Sequence, residues 1–406
     1  MMHLRVLRQL TAIYAFASLL SFSWGLFIPL YPVMLRSLGA TPFLVGAAFA
    51  IFNGVSASLR MPFGYIADRR GKEPLILLSG VATCIASLIA LLHLTPLGLI
   101  AALSALGVAT ALYYQTTYSL VADLACGGLG RTYGVLNVLS QAGWLIAPLV
   151  AGLLLDVEAL HAVFLLALTS ALIGTCSLKL LYKPMPQGLS NTSADSEDTP
   201  SRMSDVVKEV FRVGSLLMVV EALSGLATGF FQPSASAFLN EVLMGAYEDV
   251  GVIFTAAGLA MLAAQYPGGV LVDKIGGHMV YALSALVAVP PLILFSQSSD
   301  LFPASAFMSL YYFTSGFRWI GGDSMMAQHF PWRLRTVSMG IAWAFWRTGF
   351  AIGALSCGFM WETLGIRYTF IASALLLLAS SLTTFKVVTS RRAEQGCEAR
   401  RTLSRQ

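Results

Sequence analysis

Charge is what this chain has least of. Asp, Glu, Lys and Arg make up 11% of its 406 residues, against about 25% in soluble domains. That deficit excludes an ordinary water-soluble globule. Hydrophobic residues at 57% and a mean hydropathy of +0.74 point to a lipid bilayer as the solvent. Cysteine is also scarce. Cys84, Cys126, Cys176, Cys357 and Cys397 are scattered without CxxC or Cys/His spacing, so neither a disulfide frame nor a metal site is expected. The chain lacks a G-x-x-x-x-G-K-[ST] loop for ATP and any nucleophile–base pair. An enzyme and an ATP-driven pump are therefore disfavoured, and no cofactor is expected. No small-residue cleavage site follows the first apolar run, which reads as a span rather than a removed signal.

What is present is a series of long apolar runs, each bounded by charge, glycine or proline. A helix needs about 20 residues to cross a bilayer, and runs this long exclude barrel strands. The runs place helices at 10–35, 43–66, 74–93, 97–123, 132–155 and 160–182. A second set falls at 213–239, 249–272, 278–296, 302–329, 336–360 and 365–388. The expected fold is all-α and integral to the membrane, with twelve transmembrane helices in two six-helix bundles. The bundles are residues 1–182 and 213–390. A polar linker at 183–212 joins them, and a basic, irregular tail follows at 391–406.

Lys and Arg set the orientation. With both termini inside, all but five of the 25 lie on the cytoplasmic side: Arg36 and Arg367 fall outside, and Arg60, Arg318 and Arg347 fall within spans. Asp156, Glu158, Glu241, Glu248, Asp249 and Asp300 make the outer loops acidic. The formal charge of +5 is thus a matter of topology, and no nucleic-acid partner is expected. The sequon at Asn191 falls on the cytoplasmic side in this orientation.

The two halves repeat each other. Gly64, Asp68, Arg69, Gly71 and Lys72 form a charged hairpin after the second span. Gly269, Asp273, Lys274 and Gly276 repeat Gly64, Asp68, Arg69 and Gly71 at an offset of 205 residues. Gly25-x-Phe27-x-Pro29 recurs as Gly229-x-Phe231-x-Pro233, and Arg131-Thr132 as Arg335-Thr336. The hairpin resembles the major facilitator superfamily signature G-x-x-x-D-[RK]-x-G-[RK]-[RK], with Glu73 in place of a second base. The second copy has Gly277 and His278 where bases are usual. The resemblance implies two pseudo-symmetric bundles working by alternating access. It also implies that Asp68 docks at the start of span 11 near Arg335, and Asp273 at span 5 near Arg131. The run Gly143 to Gly152 is similar to a helix-5 motif of drug–proton antiporters, although Ala147 and Ala151 replace glycines.

Charged groups inside a membrane are costly and mark pathways or sites. The second half holds Glu221, Arg318, Asp323 and Arg347. The helical rise puts Arg318 and Arg347 each roughly 16 Å from the cytoplasmic helix ends. Three arrangements fit. Glu221 or Asp323 takes a proton and releases an arginine, with Glu221 paired to Arg347. Alternatively, Arg318 and Arg347 together grip an anionic solute. Or the four neutralise one another and only join helices. Asn53, Gln115, Gln232 and Trp346 are the neutral residues most expected to line the path, since an amide in lipid needs a partner. Arg60 either snorkels to the surface or joins the gate. The abundant rings suit a lipophilic or amphipathic solute. The resemblance therefore implies a multi-pass cell-membrane transporter, a monomer with a small-molecule substrate. Proton-coupled efflux is the expected mode, and symport or uniport of an organic anion is the alternative.

Overall fold

The computed structural model describes residues 2–124, 129–181, 203–330 and 335–403. These residues are helical, with no strand among them. The first half comprises α1 (Met2–Phe27), the short α2 (Tyr31–Ser37), α3 (Pro42–Arg70), α4 (Glu73–Leu92), α5 (Pro96–Leu124), α6 (Leu129–Asp156) and α7 (Leu160–Leu181). The second comprises α8 (Met203–Ala237) with a π-turn at Phe238–Val242, α9 (Tyr247–Ile275), α10 (Gly277–Val287), α11 (Val289–Gln297), α12 (Leu301–His329), α13 (Arg335–Thr363) and α14 (Ile366–Leu403). The connections alternate between two ends of the molecule. We call the end holding both chain termini the termini end, and its opposite the far end.

Several boundaries differ from the sequence expectation, each for a local reason. The first span divides because Pro29 and Pro32 lack N–H donors and stop α1 before α2 starts. The ninth span divides at Ala288, just ahead of Pro290 and Pro291, for the same reason. Residues 203–212, expected in the linker, form the start of α8. Its backbone leaves helical geometry at Gly214 (φ −133°, ψ 25°), close to the expected start of the span. Residues 391–403, expected as an irregular tail, continue α14.

Ten helical segments are long and apolar enough to cross a membrane. The helices α12 and α13, 29 residues each, match them in length but are less apolar. They carry Arg318, Asp323 and Arg347, three of the four in-span charges of the second half. With the paired α10 and α11 counted as one crossing, they complete the twelve. Lipid replaces water around them: Leu165, Leu172, Ile173 and Leu180 of α7 all point outward from the protein.

Packing in one half repeats in the other. In the first, α1 lies on α6 and α7, α5 on α3 and α4, and α4 on α7. In the second, α8 lies on α13 and α14, α12 on α9 and α10, and α10 on α14. Aromatic cores correspond too: Phe27 meets Phe164 at 5.2 Å, and Phe231 meets Phe370 at 5.9 Å. Buried serines tie helices together where lipid offers no partner. Ser373 and Ser381 of α14 donate to the carbonyls of Ala227 and Ala282, each at 2.7 Å.

Two seams join the halves: α3 against α13, and α6 against α9. Both are tightest at the far end. A Cβ on Gly46 would sit 2.8 Å from Gly358 Cα, and one on Gly251 would sit 3.1 Å from Leu149 Cα. Only glycine permits backbones this close, and the two positions are 205 apart, as the repeat requires.

Candidate functional site

The far end is latched by charge. The Asp156 carboxylate, at the end of α6, accepts the backbone N–H groups of Tyr247 at 2.9 Å and Glu248 at 2.7 Å. Those groups open α9, so a carboxylate from one half faces the positive end of a helix from the other. Arg36 donates to both carboxylate oxygens of Glu241, at 2.7 and 3.3 Å. Arg36 and Glu241 are 205 residues apart. Equivalent positions of a twofold repeat meet only on its axis, so this pair marks that axis.

Below the latch, the α3–α13 seam turns from small residues to rings and then to charge. Phe49 stacks on Phe350 at 6.5 Å. Asn53 is fully buried, and its Oδ1 accepts from Arg347 Nη1 at 2.6 Å while its Nδ2 donates to the Phe49 carbonyl at 2.9 Å. The Arg347 guanidinium lies over Phe52 at 5.4 Å and Trp346 at 5.7 Å. Two turns beyond Asn53, on the same face of α3, Arg60 lies between the rings of Tyr114 and Trp343, each at 5.5 Å. Trp319, Trp343 and Trp346 form one cluster, with centroids 5.0 to 6.4 Å apart.

A second polar group lies within the second half. Glu221 on α8 acts electrostatically on Arg318 and Asp323 of α12, and Tyr281 on α10 on Glu221 and Arg318. Arg318 donates to Ser315 at 3.3 Å and lies over Tyr311 at 5.8 Å, while its Nη1 is buried without a partner. Among the described residues no ion pair within 4.0 Å joins Glu221, Arg318, Asp323 or Arg347. Where the sequence suggested one cluster of all four charges, the structure places Arg318 and Asp323 near Glu221 alone. It gives Arg347 a different set of neighbours, and the expected Glu221–Arg347 pair is not formed.

The other expected residues fall as follows. Trp346 joins the tryptophan cluster, and Gln232 is partly buried on α8 beside Phe231. Gly71 and Gly276 end α3 and α9 with nearly identical backbones, φ 88°, ψ 156° and φ 84°, ψ 152°. Left-handed φ at both explains glycine there. Lys72 reaches the Ser119 carbonyl at 3.4 Å. Gly64 lies within α3 and Gly269 within α9, where Asp273 and Lys274 are exposed in the last turn. The side chains of Asp68, Arg69, Gln115, Arg131 and Arg335 lie outside the described residues, and with them the two expected docking contacts. Sequence reasoning did not place Arg60 in this site. The signal was its spacing of seven from Asn53, which puts both on one helix face.

Comparison with known proteins matches this arrangement to the Major Facilitator Superfamily model over residues 13–231 and again over 217–403. The chain belongs to the Major Facilitator Superfamily. Superfamily relatives include the multidrug resistance protein MdtG of Serratia proteamaculans, 25% identical over 289 residues, covering 67% of each chain. The multi-drug efflux pump PmrA of Streptococcus pneumoniae is 21% identical over 377 residues, covering 89% of this chain and 91% of its own. Among solved structures, a bacterial homologue of the human lysosomal transporter Spinster, inward-facing and occupied, superposes with a TM-score of 0.78. It does so at 13% identity, covering 94% of this chain and 96% of that one. The protein is thus a multi-pass membrane transporter of this superfamily.

Proposed function

We propose that the protein exports small lipophilic or amphipathic solutes across the cell membrane by alternating access, in exchange for protons. The moving bodies are residues 1–182 and 213–390, joined by 183–212, with the tail 391–406 and both termini cytoplasmic. The excess of Lys and Arg at the termini end supports that orientation. In that orientation the latched far end is the outer one, which supports an arrangement that loads from the cytoplasm, as an exporter does. One monomer holds the whole pathway.

The observation that carries the coupling is the position of Glu221 and Asp323. Both lie in helices within the membrane, Glu221 acts electrostatically on Asp323 and Arg318, and among the described residues neither carboxylate forms an ion pair. A proton gained or lost by Glu221 alters the field at Asp323 and Arg318. The names of the MdtG and PmrA relatives, both multidrug proteins, support export. The test is efflux of an amphipathic dye from proteoliposomes under an imposed pH gradient. We expect gradient-driven flux that Glu221→Gln uncouples while dye binding persists. Flux indifferent to the gradient refutes proton exchange.

The second reading, an organic-anion carrier, draws on the buried arginines. Its sequence form paired Arg318 with Arg347, but the structure gives those two separate neighbours.

A further inference from the structure

We propose that Arg60 and Arg347 form a subsite, shared by the two halves, for the anionic head of the transported solute, a carboxylate or a phosphate. The proposal rests on the alternating-access reading only for the route by which the solute arrives. Arg60 comes from α3 and Arg347 from α13, and the two are close enough to repel each other electrostatically. They are 5% and 8% exposed, and Nε of each is buried without a hydrogen-bond partner. Among the described residues, no carboxylate lies within 4.0 Å of either. Asn53, a neutral amide, is the hydrogen-bond acceptor that Arg347 has.

Two like charges in a medium of low dielectric, with no counter-charge within 4.0 Å among the described residues, form an incomplete arrangement. Aromatic faces offset part of the cost: Tyr114 and Trp343 for Arg60, Phe52 and Trp346 for Arg347. An anion completes it. Each guanidinium has a planar fork that suits carboxylate or phosphate oxygens. The same rings already hold cations on their faces, so a cationic solute would meet repulsion here. Tyr114, beside Arg60, is 38% exposed, and Trp319, Trp343 and Trp346 offer a wall for an apolar body. A solute with an acidic head and a hydrophobic body satisfies both surfaces. Because one arginine belongs to each half, its binding favours the state in which these stretches of α3 and α13 adjoin.

The test uses the full-length protein in an uncharged detergent at constant ionic strength. The probes are octanoate, phenyl phosphate, inorganic phosphate for the head alone, and octyltrimethylammonium as the matched cation. Thermal unfolding and tryptophan fluorescence read binding. We expect octanoate or phenyl phosphate to stabilise the protein saturably and the cation not to. A response to one head and not the other names the head. Arg60→Gln and Arg347→Gln should each weaken binding by about tenfold to a hundredfold, the loss of one charge-assisted partner. Lys179→Gln, an exposed cation on α7, should leave binding unchanged. Where a glutamine variant does not fold, Arg60→Lys or Arg347→Lys replaces it, keeping the charge but losing the fork, and weaker binding is again expected. The proposal is overturned if the cation binds as well as the anions, or if neither arginine variant weakens anion binding. Loss in Arg318→Gln with retention in Arg60→Gln overturns it as well. Anion binding without gradient-driven flux leaves the site standing and removes the export reading, and the converse result does the reverse.

Discussion

Removing the Asp156 carboxylate should open the far end. Asp156 holds two N–H groups at the start of α9, at 2.9 and 2.7 Å, and it is the cross-half contact nearest the loops on the α6–α9 seam. A charge-assisted hydrogen bond contributes about 1.5–3 kcal/mol when well shielded. This carboxylate is exposed, and water and salt screen it, so we take about 1–2 kcal/mol for the pair together. Since 1.4 kcal/mol is tenfold, Asp156→Ala should multiply the open-to-closed ratio at the far end by about fivefold to thirtyfold. Spin labels on Val157→Cys and Met244→Cys, two exposed positions on either side of the latch, report it by distance distribution in a background cleared of native cysteines. The expected result is a second, longer distance in Asp156→Ala. Asp156→Asn should give an intermediate population, because its amide oxygen still accepts one N–H. Identical distributions in all three proteins would show that glycine packing alone seals this end, and the latch argument would fall.

Gly46→Val should act on the opposite seam: its Cβ would meet Gly358 Cα at 2.8 Å, driving α3 from α13 and raising accessibility at the far end to a thiol reagent. Asn53→Ala leaves Arg347 Nη1 buried without its acceptor and should cost about 1–3 kcal/mol, read as a lowered unfolding temperature. Asn53→Asp, which supplies a counter-charge, should raise that temperature and abolish anion binding. Gly71→Ala and Gly276→Ala force a side chain into left-handed backbone and should each cost about 1–2 kcal/mol. Gly54→Ala, helical and with open space around it, should be neutral or stabilising by up to about 1 kcal/mol.

The membrane fold was legible because its signals are local and repeated. Apolar length fixes a span wherever it falls, and one offset near 205 ties the two hairpins, the Gly25 and Gly229 motifs and the seam glycines together. Breaks at Pro29 and at Pro290–Pro291 were in principle legible too, because proline acts on its own neighbourhood. The onset of α8 at Met203 was not, since polar residues form helix or coil according to what they pack against. In the site, the Glu221–Arg318–Asp323 neighbourhood followed from charge within spans. The partner of Arg347 did not. It lies 294 residues away on Asn53, and helical phase cannot say which of several facing helices a long side chain will reach. Asp156 was counted for topology alone, because nothing in its sequence context shows that a helix start from the other half lies beside it.

The repeat also separates scaffold from chemistry. Positions that pack are kept in both halves: Gly25 and Gly229 approach α6 and α13 respectively, and Gly46 and Gly251 hold the two seams. The charged positions within the spans are not kept. At an offset of 205 Arg318 corresponds to Tyr113, Asp323 to Tyr118 and Arg60 to Gln265, and at 204, the offset of the Gly25 and Arg131 motifs, Arg347 corresponds to Gly143 and Glu221 to Ala17. Tyr113 is packed edge-on against Trp24 at 5.0 Å, Tyr118 donates to Asn137, and Gly143 lies against α1. These counterparts serve packing or neutral hydrogen bonding. Symmetric packing is what a rocking motion requires, since each half must present an equivalent surface on either side of the pivot. Binding and coupling require the opposite, a single place where charge is gained and lost. The in-span charges lie on α3, α8, α12 and α13, and of these α3 and α13 form one of the two seams. Motion at that seam and occupancy at Arg60 and Arg347 are therefore mechanically one event, whereas the α6–α9 seam, with Thr255 bonded to the Leu145 carbonyl at 3.0 Å, holds no in-span charge.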